Sequence, residues 1–91
     1  MTADGPTAVR QFIEAESDNL LATLRFYVLR SGLAEGTAVT LFTAELLNEV
    51  VVEALAHADR FQPDDQPRVW LLGIAANLLK RKQAERAKRD K

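Results

Sequence analysis

Trp70-Leu71-Leu72-Gly73-Ile74-Ala75-Ala76-Asn77 leads through Leu78 and Leu79 into Lys80-Arg81-Lys82, an apolar stretch that stops abruptly in a cationic one. Successive residues placed 100° apart put Leu71, Ile74, Ala75, Leu78 and Leu79 on one helical face. The start of this helix is marked by Pro63-Asp64-Asp65-Gln66-Pro67, where Pro67 suits a first turn and Asp65 or Gln66 stands just ahead of it. Beyond Leu79 only alanines remain apolar, which predicts a helix that projects past its core as a basic extension.

Working outward, two further helices are predicted. The one immediately before has a soft start, since Thr37, Thr40 and Thr43 all suit a cap, and its beginning is placed between 37 and 43. Its apolar stripe is Leu46, Leu47, Val50, Val51, Ala54 and Ala58, a period near 3.6 rather than 2. The run Val50-Val51-Val52 has strand propensity, but Glu45 to Ala58 as a whole favours helix, ending before Pro63. The first helix follows Asp4-Gly5-Pro6-Thr7, with Asp4 or Thr7 as cap and Pro6 in the first turn. Its apolar positions Val9, Phe12, Ile13, Leu20, Leu24, Tyr27 and Val28 recur at helical spacing up to Ser31-Gly32, where glycine supplies a stop. The fold class expected is all-α: a small three-helix bundle with its third helix extended into a basic tail. Residues 1–7 are expected as a flexible N-terminus, 8–80 as the helical domain, and 81–91 as a basic helical extension or interdomain linker.

Ninety-one residues make one small domain, near the size at which a single core is only just adequate. With 47% apolar and 27% charged residues the chain has ordinary globular composition. No apolar run approaches the ~18 residues of a spanning helix, and no basic-then-apolar leader opens the chain. A cytoplasmic protein without membrane contact is the expectation. The net charge of −1 conceals a split. Residues 1–79 carry five basic and eleven acidic side chains, a balance of −6, whereas residues 80–91 carry seven basic and two acidic, a balance of +5. Such asymmetry accompanies nucleic-acid contact, membrane-surface contact or a solvated tail.

The residues do not assemble a catalytic or cofactor motif. There is no cysteine, and the single histidine, His57, falls at the edge of an apolar stripe with no second ligand at metal spacing. The four glycines are scattered rather than gathered into a phosphate loop, and Ser17 and Ser31 lack a base partner in a recognisable arrangement. Asp64-Asp65, flanked by proline, reads as turn and cap. No enzyme activity, metal or cofactor is expected.

Two outward faces carry binding chemistry. Opposite its stripe, the second helix presents Glu45, Asn48, Glu49, Val52 and Ala56, which fits either a solvated face with one stray valine or a docking surface for a basic partner. The outer face of the third helix carries Gly73, Ala76, Asn77, Lys80 and Ala84. This fits either a solvated face, with alanines as good helix formers and Asn77 in water, or a nucleic-acid surface. In the second case small side chains let a ligand approach closely, Asn pairs with base edges and Lys with phosphate. Phe61, just ahead of the proline loop, suits either a core plug or a stacking platform, and Trp70 more readily seals a core than meets a ligand.

Together these features resemble the second conserved region of bacterial RNA polymerase sigma factors of the extracytoplasmic-function class. Ala44-Glu45-Leu46-Leu47-Asn48-Glu49-Val50 is similar to the family's Ala-Glu-Asp-Leu-Val-Gln-Glu-Val type of helix. Arg60-Phe61, the loop, and Trp70 to Asn77 follow in the family's order, and the resemblance spans about residues 8–90. It implies a transcription initiation factor domain that docks on RNA polymerase core and recognises and helps melt the promoter −10 element. Glu45, Asn48, Glu49 and Val52 match the surface that docks on the clamp helices of the polymerase's largest subunit. Phe61, the loop to Arg68, and Asn77 match the segment that captures a flipped base of the −10 element, mainly as single strand. Lys80, Arg81 and Lys82 fall where basic residues hold the promoter backbone. Holding a base outside the stack costs a few kcal/mol, which stacking and hydrogen bonds offset.

The chain departs from the family pattern in places. Asn48 replaces the usual glutamine, Ala76 and Arg81 stand where many members have Arg and Asp, and the segment from Gly32 to Thr43 is longer than is typical. The helix-turn-helix reader of the −35 element is not within these residues. Because Lys80 to Lys91 resembles an interdomain linker, an excised domain of a longer protein is expected rather than a short natural protein. The alternative function is a sigma-like interaction module that binds polymerase or an anti-sigma protein and reads no promoter.

Overall fold

The computed structural model describes residues 5–62 and 65–90. Among them are three helices, α1 (Gly5–Ser31), α2 (Ala38–Ala56) and α3 (Pro67–Arg89), with a short 3₁₀ turn over Ala58–Arg60 and no strand. Each long helix packs on the other two. The expected all-α three-helix bundle is what forms, because each helix has one apolar edge and only a mutual arrangement buries all three.

α1 supplies Val9, Leu20, Leu24 and Val28 to the core, and α2 supplies Val39, Leu46, Val50 and Ala54. Leu71, Ala75, Leu78 and Leu79 of α3 close it, with Ala58 and Phe61 beneath the joining turn. Leu47, Val51 and Ile74, expected inside, are only half-buried at the rim.

α1 is not one straight rod. Glu16 leaves helical geometry at φ −121° and ψ 18°. The surrounding Glu14 to Asn19 is polar, and Ser, Asp and Asn compete with helical hydrogen bonds through their own side chains. Asn19 Nδ2 donates to Glu16 Oε2 at 3.3 Å across the break. A straight helix would carry Val9 and Val28 about 100° out of phase. That is the width of an ordinary core-facing stripe, and with Leu20 and Leu24 between them both stay fully buried on either side of the break. α1 also begins at Gly5, inside the span expected to be a flexible terminus, with Pro6 in the first turn as expected. The alternative cap Asp4 lies outside the described residues.

Gly32 (φ +73°) ends α1 in the left-handed conformation, and Gly36 (φ +57°) completes the turn into α2. Thr37 precedes α2 without a side-chain cap bond, and backbone bonds from Ala38 N to Glu35 O and Val39 N to Gly36 O start the helix instead. Thr43, a candidate cap by sequence, is a core residue: it is buried and its hydroxyl donates to Val39 O at 2.7 Å. The long segment expected between the first two helices is therefore a short loop, Gly32 to Thr37, plus an added stretch of α2. At its other end α2 stops at Ala56, so Ala58 reaches the core from the 3₁₀ turn and not from the helix. Asp65 is a turn residue as expected, its carboxylate accepting from Gln62 N at 2.8 Å, while Gln66 occupies the cap position without a side-chain bond.

α3 does not simply project past the core. Lys82 reaches both carboxylate oxygens of Glu49 at 3.0 Å. Gln83 donates to Ser31 O and Arg86 to Gly32 O, each at 3.0 Å. These carbonyls lie at the C-terminal end of α1, where backbone acceptors lack helical partners. The basic extension is thus strapped across the α1–α2 corner.

Two glycines in helices give opposite expectations. A Cβ on Gly5 would lie 2.6 Å from Ala58 O, a backbone atom that yields only if α1 lifts off the turn. Gly5→Ala is expected to lower stability by about 1–3 kcal/mol. Gly73 faces open space, and Gly73→Ala is expected to raise stability by roughly 0.5–1 kcal/mol. Thermal unfolding followed by circular dichroism should move the two midpoints in opposite directions.

Candidate functional site

The rotation of α2 is set by its buried edge, so the opposite edge is outward. Glu45, Asn48 and Ala56 are exposed there, Glu49 is half-buried, and Val52 is 61% exposed. The lone valine has company that the periodicity reading missed: Leu41 is 65% exposed and Leu55 40%. Leu41, Ala44, Asn48, Val52 and Leu55 recur at three- and four-residue steps and form one stripe along the helix. Leu41 is not legible in the sequence because Thr37, Thr40 and Thr43 blur the start of α2, and a helix face cannot be phased before its first turn is known. Glu45 and Glu49 flank this stripe, and Glu53 lies 3.7 Å from His57 Nε2.

On α3 the outward edge is Gly73, Asn77, Lys80 and Ala84, all exposed, with Ala76 half-buried beside them. Neither Asn77 nor Lys80 has a hydrogen-bond or ion-pair partner among the described residues, so both polar ends are free for a ligand. Arg81 is exposed one step round the helix.

The remaining candidate residues are engaged within the fold. Phe61 is 7% exposed and meets Trp70 with ring centroids 5.5 Å apart and planes tilted by 60°. In this conformation its ring is a core plug rather than a stacking platform, because the 3₁₀ turn directs the chain under the start of α1. Arg68 Nη2 donates to Thr23 Oγ1 at 2.8 Å and ties the beginning of α3 to the middle of α1. Lys82 is paired with Glu49, which joins a residue expected on the backbone-binding side to one expected on the docking side. The fold therefore brings Asn77, Lys80 and Arg81 together as free groups and does not bring Phe61, Arg68 or Lys82 to them.

Among the described residues no group of His, Asp and Glu side chains converges in a way that holds a metal ion, and no helix is long and apolar enough to cross a membrane. Ser31 spends its hydroxyl on its own helix end, donating to Val28 O at 2.6 Å and accepting from Leu33 N at 3.1 Å. No family model, characterised protein or solved structure matches this chain.

The Lys82–Glu49 pair is part-exposed, and such pairs contribute at most ~1 kcal/mol, weakened by salt. A double-mutant cycle with Lys82→Met and Glu49→Gln, read by denaturant unfolding, should give a coupling of that size at low ionic strength. Raising the salt should shrink it towards zero.

Proposed function

We propose that this chain is a transcription initiation factor domain that docks on RNA polymerase core and helps open the promoter −10 element. One observation carries the proposal. Two chemically distinct faces stand outward on neighbouring helices of one bundle, and each has the character its role requires. The α2 face joins an apolar stripe to carboxylates, which suits a basic, partly apolar helical surface such as the clamp helices of the largest polymerase subunit. The α3 face offers an amide, a free ammonium and small side chains, which suits a nucleotide approached closely and held by phosphate.

Within this proposal the residue roles divide. Glu45, Asn48 and Val52, joined by Leu41 and Leu55, carry docking. Asn77 reads a base, while Lys80 and Arg81 hold the backbone. Arg68 and Lys82 fix the helices that present these groups, and Phe61 packs on Trp70 at the start of α3. Stacking of a base on Phe61 would require its ring to leave the contact with Trp70.

Residues 1–79 carry a balance of −6, so docking supplies most of the affinity and strand binding by the domain alone is weak. A single-stranded −10-like oligonucleotide is expected to bind better than the same sequence as duplex, with affinity falling as salt rises. Equal binding of duplex, or indifference to salt, sinks the base-capture role. Val52→Asp is expected to weaken binding to polymerase core at least ~10-fold in a pull-down titration, about 1.4 kcal/mol.

The engagement of Phe61, Arg68 and Lys82 inside the fold favours a second reading, an interaction module that binds polymerase or an anti-sigma protein without reading DNA. Transcription from a cognate promoter separates the two. Asn77→Ala should reduce it under the first reading and leave it unchanged under the second.

A further inference from the structure

We propose that the groove between the C-terminal half of α1 and the middle of α3 is a second wall of the strand-binding surface, with Arg30 as its phosphate-holding residue. The inference rests on the nucleic-acid role assigned above to Asn77 and Lys80, and it adds a helix to that role.

The groove has a volume of about 390 Å³ and is bordered by Tyr27, Arg30 and Ser31 on α1 and by Ala76, Lys80 and Gln83 on α3. Two cations stand on opposite banks and no carboxylate lines it. In a chain whose first 79 residues carry an excess of acid, a cleft with only positive charge marks an anionic ligand. Arg30 is exposed and has no hydrogen-bond or ion-pair partner among the described residues, and the same holds for Lys80. Both therefore keep their donors free, in contrast to Arg68, Lys82 and Arg86.

The base-reading role proposed for Asn77 selects the form of the anion, because a base is captured there only when unpaired. Gln83 donates to Ser31 O and holds the two banks together, so the cleft is a groove between packed helices. The cations on its two banks give one phosphodiester backbone a donor on either side. Tyr27 is half-buried and, with Ala76 and Leu79, gives a largely apolar floor suited to a sugar or base face. Asn77 follows Ala76 directly and sits one turn before Lys80, so a base read at Asn77 leaves its neighbouring phosphate near the groove's mouth. The guanidinium of Arg30 then grips that phosphate from the opposite bank in a fork that lysine does not match.

The test titrates a short fluorescent single-stranded oligodeoxynucleotide with the full chain at several salt concentrations. Arg30→Gln is expected to weaken binding roughly 3- to 10-fold at low salt and to lower the log–log salt slope by about 0.7, one phosphate contact on a single strand. Arg30→Lys should keep the slope while losing part of the affinity. Arg10→Gln, an equal change of charge on the far part of α1, should leave both unchanged. If Arg30→Gln behaves like Arg10→Gln while Asn77→Ala still weakens binding, the groove is wrong and the base-reading role stands. If the unaltered chain shows no salt-dependent strand binding, that role fails and the groove falls with it. Competition by polyglutamate as effective as by unlabelled oligonucleotide would overturn the strand assignment in favour of an acidic peptide. Circular dichroism of each variant confirms that helicity is retained, as the exposure of Arg30 requires.

Discussion

The burial of Leu71, Ala75, Leu78 and Leu79 sets the rotation of α3, and the direction of every other side chain on that helix follows. At 100° per residue, Asn77 and Lys80 must face outward once Ala75 and Leu79 face inward. Ala76 and Gln83 must then face α1. Lys82 falls back towards the core side, which is why it meets Glu49 on α2 instead of solvent. Truncating one of these leucines would cost about 2–5 kcal/mol and release the constraint that aims the whole helix.

The same constraint explains the far end of α3. Past Leu79 the inward edge carries Lys82 and Arg86, which cannot be buried among apolar groups without partners. They find them at the corner where α1 ends. Arg86 and Gln83 satisfy carbonyls that the last turn of α1 leaves open, and Lys82 finds Glu49 on the neighbouring helix. A basic segment that composition describes as tail therefore becomes a strap. Its outward residues stay free, and the charge asymmetry of the sequence divides into cations that hold the fold and cations that remain available.

Legibility differed by element and by residue for physical reasons. Long amphipathic runs bounded by Pro67 and Gly32 were readable because periodicity and punctuation agreed. The break at Glu16 was signalled by Glu-Ser-Asp-Asn in mid-helix, but those residues also suit a solvated face, so the signal was ambiguous. The start of α2 was blurred by three threonines, and with it went Leu41 and the full apolar stripe. For the candidate site, exposure of Asn77, Lys80 and Val52 followed from helical phase alone. The engagement of Phe61, Arg68 and Lys82 did not, since each partner lies on a different element: Trp70, Thr23 and Glu49.

By itself the sequence determined three helices, their approximate limits, their buried edges and the segregation of acid from base along the chain. These are local properties, set by spacing within one helix and by residues that start or stop it. Only the tertiary structure decided which cations are free. Arg30 and Lys80 sit 50 positions apart and become opposite banks of one groove. Lys82 and Arg86, neighbours of Lys80 in the same basic run, are drawn inward to acceptors on α2 and at the end of α1. A charge in a sequence has a sign and a period, but its availability depends on what the other helices place within reach.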